Sequence, residues 1–296
     1  MTIEEHVPLS RYTTLGTGGP ARWFARPDTP AELEEALAWA AERDAAVSVV
    51  GLGSNLLVAD EGVDALVLKL SGELAAAEAD GELLRAGGGA PLAVCLHRAR
   101  AASLGGFEFA CAIPGTAGGG VWMNAGAYGG DIAGVLQRAL VADASGSSWR
   151  TPEELGLQYR RSALRPGEVV VSAEFRLQPR PVDEIKATIA EMQATRKAAQ
   201  PTNKRTFGSV FKNPRHELSA GRMLEACGLR GHRIGGAQIS PRHANFIENA
   251  DGAQSIDAIE LMTEARRRAL EKFGVELEHE VQLLGPIGLP AAGERV

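Results

Sequence analysis

Cysteine is scarce in this chain. The three thiols, Cys95, Cys111 and Cys227, are isolated, odd in number and without a C-x-x-C pair, so they read as reduced packing residues rather than metal or redox ligands. The six histidines include no H-E-x-x-H or comparable cluster, and no metal site is expected. No apolar run approaches the ~18 residues needed to span a bilayer. The opening Met-Thr-Ile-Glu-Glu-His lacks a basic region followed by an apolar stretch, so neither export nor membrane insertion is indicated and a cytoplasmic protein is expected. Positive charge is also short, with 31 Lys and Arg against 37 Asp and Glu and a net charge of -6. That balance argues against a nucleic-acid surface, which needs clustered cations, and makes any phosphate site a local one.

What is present suits a folded globular chain: 45% apolar and 23% charged residues, with no repeat and no low-complexity tract. At 296 residues it exceeds the roughly 100 to 150 of a typical single core, and two or three lobes are expected. Thr29-Pro30-Ala31-Glu32 carries the signature of a capping box with proline in the first turn, followed by an apolar face of Leu33, Ala36, Leu37 and Ala40. Residues 47–52 and 63–70 read as buried strands, which makes the first lobe, residues 1–75, β-α-β-like. A second lobe, residues 76–196, mixes short strands with a helix from Pro91 to Ser103 and ends in the alternating Val169, Val171, Ala173, Phe175 and Leu177. Val182, Ile185, Ile189 and Met192 then fall at helical spacing until Pro201 stops the helix near Gln200. The third lobe, residues 197–296, is expected to hold helices over 219–227 and 255–273, closed by Gly228 and Gly274. Arg266, Arg267, Arg268 and Lys272 read as a solvated face favoured by the helix dipole.

Two glycine-rich stretches carry the chemistry. Gly51-Leu52-Gly53-Ser54-Asn55 follows a strand, where bare N–H groups can converge on a phosphate, yet it is neither G-x-G-x-x-G nor a P-loop and reads equally as a structural turn. From Ile113 to Gly129, glycines lie among apolar residues, a composition that weakens a core unless something large approaches the backbone. Two such stretches in separate segments suit a dinucleotide.

Gly-Leu-Gly-Ser-Asn-Leu-Leu-Val at 51–58 and Ile-Pro-Gly-Thr-Ala-Gly-Gly at 113–119 together resemble the FAD-binding signature of the UDP-N-acetylenolpyruvoylglucosamine reductase family. The resemblance continues through Tyr159-Arg160-x-Ser162, Gly208-Ser209-Val210-Phe211-Lys212-Asn213-Pro214, Ile234-Gly235-Gly236-Ala237-Gln238 and Leu277-Glu278-His279-Glu280-Val281, covering roughly residues 10–285. It implies the α+β fold of the vanillyl-alcohol oxidase and para-cresol methylhydroxylase flavoproteins, in which two lobes clasp FAD and a third brings the substrate. The 49-residue interval from Arg160 to Ser209 resembles the shorter, type II form. His279 stands where the family usually has proline, and Arg161 replaces an acidic or amide residue.

The family activity implied is NADPH-dependent reduction of UDP-N-acetylglucosamine enolpyruvate through noncovalent FAD, a step of peptidoglycan precursor synthesis. By resemblance, Ser209 is the proton donor, while Arg160 and Glu280 stabilise the enolate, Glu280 through a pKa raised by burial. The cofactor residues implied are Gly51, Gly53, Ser54, Asn55, Pro114, Gly115, Thr116, Gly118, Gly119, Asn124, Ala125 and Gly126. Tyr159, Lys212, Asn213, Gln238, His243 and Asn245 are placed at the sugar nucleotide, with Lys204 or Lys212 at its diphosphate. The partners expected are the UDP-sugar and NADPH, with no obligate protein partner. Two rival readings are a flavin oxidase of the same fold acting on an alcohol or sugar, and a noncatalytic nucleotide-sugar binder.

Overall fold

The computed structural model describes residues 1–290. The chain divides into two compact units that interleave along the sequence. One holds Met1–Glu5, Arg22–Leu52 and Asp64–Arg196, and the other holds His6–Ala21, Gly53–Val63 and the chain from Lys197 onward.

In the first unit, helix α1 (Pro30–Ala41) begins where the capping signature places it. The Thr29 hydroxyl accepts from the Glu32 N–H at 3.2 Å and Pro30 occupies the first turn. Glu32 reaches back to the Asp28 N–H at 2.7 Å, one residue earlier than a capping box requires. The expected face of Leu33, Ala36, Leu37 and Ala40 is fully buried. The strand Val47–Val49 is shorter than expected and pairs in parallel with Val63–Leu68. Val50 is buried and still donates its N–H to the Leu68 carbonyl at 2.9 Å, and the chain bends at Gly51.

A five-stranded antiparallel sheet dominates the rest of this unit, in the order Gly146–Arg150, Leu136–Asp143, Val169–Arg176, Leu83–Gly87, Ala77–Asp80. The alternation expected along Val169–Arg176 breaks at Val171. Leu140 pairs Ser172 and Val141 pairs Val170, so Val171 is bulged out of register. A bulge shifts side-chain parity. Ala173, Phe175 and Val170 therefore face one core, and Val169 and Val171 face the other beside Leu33 and Leu37. Helices α2 (Leu92–Ala101) and α3 (Ala117–Trp122), with α4 (Val182–Ala199), bury Leu92, Cys95, Val121, Ile185 and Ile189 in the first of these cores.

In the second unit, α5 (Ala220–Ala226) starts on the Ser219 hydroxyl and α6 (Ser255–Phe273) ends on Gly274 at φ +65°. The first N–H groups of α6 are met from far away: Asp60 accepts from Ser255 at 2.9 Å and from Ile256 at 3.1 Å. Met223, Leu261, Met262 and Ala265 pack against Phe207, Phe211, Leu15 and Leu57. A three-stranded antiparallel sheet of Arg233–Ile234, Ala237–Ile239 and Ile247–Asn249 completes this core. The basic cluster on α6 is paired rather than merely solvated. Arg267 and Arg268 both grip Glu264, and Arg267 leads the effects that hold its carboxyl down at about 2. Burial pushes the Cys95 thiol up to about 12, as expected of a packing residue.

Candidate active site

In the first unit the glycines have two different causes. The sequence suggested a large ligand against the glycines of residues 113–129 and left Gly51 open between a ligand site and a structural turn. At Gly118 and Gly126, however, the chain itself is the close neighbour: a Cβ would lie 2.9 Å from the Gly88 carbonyl oxygen and 2.6 Å from the Gly130 carbonyl oxygen. At Gly51 it would meet the Thr116 hydroxyl at 2.7 Å. Only ordinary contacts surround Gly115, and Gly119 has the Thr116 hydroxyl at 3.4 Å as its sole near neighbour. The first N–H groups of α3 are already taken, by the carbonyls of Ala90 and Gly88 at 2.8 Å each and by the Thr116 hydroxyl at 3.3 Å. The Gly51 carbonyl accepts from the Lys69 ammonium at 2.7 Å. Sequence reasoning passed over Lys69, a lysine at a strand end that carries no motif.

Asn124 sits at φ +39° and is 3% exposed. Its amide donates to the Gln158 carbonyl at 3.0 Å and to Asp131 at 3.4 Å, and its side-chain oxygen accepts from the Ala133 N–H at 2.9 Å. The Asn124 side chain therefore joins the segment around Asp131 and Ala133 to the loop that leads to Arg160. Ala125 donates its N–H to the Gly120 carbonyl at 2.8 Å. Arg160 itself occupies left-handed backbone at φ +55°, at the tip of a turn closed by reciprocal bonds between Gln158 and Arg161 at 2.9 and 3.1 Å. Such a conformation costs a non-glycine residue on the order of 1–3 kcal/mol and persists where the surroundings impose it. The guanidinium donates to the Gly126 carbonyl at 2.6 Å and lies 5.0 Å from the ring centre of Tyr159, which is 54% exposed. Ser162 ties the far side of the turn to the Trp122 carbonyl at 2.7 Å. Arg161 is exposed and the Arg160 side chain half-buried.

In the second unit, Gly53 at φ +66° passes so close to the Tyr12 carbonyl that a Cβ would lie 1.9 Å from its oxygen. The Gly53 carbonyl accepts from the Thr14 N–H at 3.0 Å and its hydroxyl at 3.1 Å. Asn55 reaches another candidate directly, donating to the Glu280 carbonyl at 3.1 Å and accepting from the Gln282 N–H at 2.9 Å. The Ser54 carbonyl lies 3.2 Å from the place of a Cβ on Gly208, the left-handed residue before Ser209.

The segments that carry Ser209 and Glu280 are joined by an antiparallel bridge between Phe211 and His279. The Glu280 N–H donates to the Val210 carbonyl at 2.8 Å, and the Lys212 N–H donates to the Glu278 carbonyl at 2.9 Å. Both side chains are half-buried. Asn245, 4% exposed, locks this ladder from behind, its oxygen accepting from the Phe211 N–H at 3.0 Å and its amide donating to the Phe211 carbonyl at 2.8 Å. His279 replaces the restraint a proline would give with a contact between its Nδ1 and the Val281 carbonyl at 2.8 Å. Among the other candidates, Lys212 pairs with Glu278 at 2.5 Å, Asn213 accepts from the Ala220 N–H at 3.1 Å, and Gln238 donates to the Gly231 carbonyl at 3.0 Å. His243 stacks edge-on with Phe246 and fills the space above Gly221; burial first, then Arg230, pushes its imidazole below the usual range. Lys204 is exposed. Among the described residues no group of three or more His, Cys, Asp or Glu side chains could hold a metal ion, and no helix is long and apolar enough to cross a membrane.

A family model described as an FAD binding domain matches residues 21–151, and one described as the UDP-N-acetylenolpyruvoylglucosamine reductase C-terminal domain matches residues 200–284. UDP-N-acetylenolpyruvoylglucosamine reductase 2 of Symbiobacterium thermophilum is 43% identical over 96% of this chain and 92% of its own length. The reductase of Anaeromyxobacter dehalogenans is also 43% identical, over 94% of this chain and 84% of its own. The crystal structure of the Thermus caldophilus reductase superimposes with a TM-score of 0.84 at 39% identity, covering 96% of this chain and 99% of that one.

Proposed function

This chain belongs to the UDP-N-acetylenolpyruvoylglucosamine reductase family, and from that membership we propose that it reduces the enolpyruvyl ether of UDP-N-acetylglucosamine to UDP-N-acetylmuramate, in the cytoplasm, with FAD held noncovalently and NADPH as reductant. The observation that carries the reading is the match to reductases over nearly the full length of both chains. The residues present fit the cofactor in that the places of a Cβ at Gly115 and Gly119 meet side-chain atoms no closer than 3.7 and 3.4 Å, so both backbones can be approached closely. When bound, FAD supplies the relay of hydride from NADPH to the terminal carbon of the enolpyruvyl group.

The remaining work falls to this chain. Addition at the terminal carbon leaves a carbanion conjugated with the substrate carboxylate, so negative charge gathers on the carboxylate oxygens. In this reading Arg160, whose guanidinium donates to the Gly126 carbonyl from a left-handed turn, meets that charge. A single preorganised donor of this kind is worth roughly 3 to 4 kcal/mol of barrier. Ser209 delivers the proton to the adjacent carbon; a hydroxyl is a poor acid in water but serves when held against a strongly basic carbon. Glu280 assists in its protonated form or through water, because an ionised carboxylate would repel the enolate. Tyr159, Asn213, Gln238 and His243 belong to the sugar-nucleotide side, with Lys204 or Lys212 at the diphosphate. Asn245 and Asn124 act from behind by fixing the Phe211 and Gln158 backbones.

Anaerobic NADPH should bleach the flavin of the purified protein, and UDP-N-acetylglucosamine enolpyruvate should restore its colour. Recolouring by oxygen alone, with indifference to the enolpyruvyl sugar, would establish an oxidase instead. Ser209→Ala should keep the bleaching step and lose the recolouring.

A further inference from the structure

The Lys69 contact calls for a role. Lys69 follows the strand Val63–Leu68 and is half-buried, and its ammonium donates to the Gly51 carbonyl at 2.7 Å. A peptide unit is planar and trans, so its C=O and the next N–H point in opposite directions. Drawing the Gly51 carbonyl toward Lys69 therefore turns the Leu52 N–H the other way. Among the described residues that N–H has no acceptor. The orientation is fixed a second time at the Gly51 Cα, which lies so close to the Thr116 hydroxyl that a Cβ would stand 2.7 Å from it. Thr116 in turn caps α3 through the Gly119 N–H at 3.3 Å. Lys69 thus anchors a chain of contacts that runs from the strand end through Gly51 to the start of α3. Arg26 adds a second cation close by: burial first, then this guanidinium, pushes the Lys69 ammonium below its usual range. The local potential has the sign that an anion requires.

We infer that Lys69 is a positioning residue for the diphosphate of FAD, holding the Gly51–Leu52 peptide so that the Leu52 N–H faces a phosphate oxygen. It acts through the peptide and need not touch the cofactor itself. This rests on the reading above only in taking FAD as the resident dinucleotide; it does not depend on which substrate is reduced. The same geometry explains why the residue at 51 carries no side chain. Thr116 occupies the place of a Cβ, and the carbonyl is committed to Lys69.

The test is FAD affinity of the deflavinated protein, followed by quenching of flavin fluorescence, for the wild type, Lys69→Met and Lys69→Arg. Methionine matches the length without a donor and should weaken FAD roughly 10-fold or more, the loss of one net hydrogen bond to a charged group. Arginine keeps a donor and should restore affinity to within about 3-fold of the wild type. Adenosine diphosphate, used as a competitor, should lose affinity for Lys69→Met in proportion, since the diphosphate is what the peptide meets. Unchanged FAD affinity in Lys69→Met would overturn the inference. So would an equal loss in both variants, which would mark a purely structural site. A wild type that binds FAD tightly but ignores the enolpyruvyl sugar would instead defeat the functional reading and leave the Lys69 result standing.

Discussion

Arg160 and Ser209 are positioned by opposite means. Arg160 stands at the tip of a turn in left-handed backbone at φ +55°, and its guanidinium donates to the Gly126 carbonyl. Ser209 lies two residues before Phe211, which is gripped on both backbone groups by the buried amide of Asn245. The first arrangement stores strain, and the second rests on satisfied hydrogen bonds. A residue held by strain can be removed with a gain in stability, whereas one held by buried bonds cannot lose its clamp without leaving polar groups stranded.

Arg160→Gly breaks this comparison most sharply. Turnover of the enolpyruvyl sugar should fall roughly 100- to 1000-fold, while stability stays level or rises by up to about 1 kcal/mol, because glycine accepts positive φ freely. Stability that falls together with turnover would show that the turn is not strained. Asn245→Leu should go the other way, lowering stability by about 2–3 kcal/mol in denaturant unfolding through the unpaired Phe211 N–H and carbonyl. Its turnover should fall as the Ser209 and Glu280 ladder loosens. Asn124→Gly separates the two means within one residue. It relieves a φ of +39° but removes the bonds to Gln158 and Ala133, and a net loss of roughly 1–2 kcal/mol is expected if bonding outweighs strain.

The smallest effect concerns acid. Glu168 lies in the first unit with 2% of its side chain exposed. Burial pushes its carboxyl up, but Arg150, the Arg165 N–H and the Arg165 guanidinium outweigh this and bring it to about 2. Its contribution is therefore present above its ordinary value of 4.5 and lost as pH falls from there toward about 2. Glu168→Gln should flatten the acid limb of the unfolding curve in that window only, with Arg160 and Asn245 variants leaving the limb unchanged.

Helix α1, α5 and α6 were legible because their signals are local: Thr29 with Pro30, Ser219 before Ala220, Gly274 after Phe273. The alternating strand was legible in kind but not in phase, since the bulge at Val171 depends on a partner strand. The supports of the site were not legible. Asp60 under α6, Asn245 behind Phe211, Asn55 on the Glu280 carbonyl and Lys69 on Gly51 act between residues far apart in sequence, and no short-range pattern records them. Similarly, composition does not reveal that Gly118 and Gly126 lie against the Gly88 and Gly130 backbones of the same chain.

The interleaving of the two units has a consequence for how the molecule is made. Leu15 and Leu57 are completely buried in a core whose other buried residues come from Phe207 onward, in α5, α6, the three-stranded sheet and their loops. A ribosome releases those two leucines long before it reaches Leu261 and Met262, so this core must wait, with its two early members exposed, until almost the entire chain has emerged. A fragment starting at Lys197 would carry the later walls without the early ones, and would present apolar hollows to water where those leucines belong.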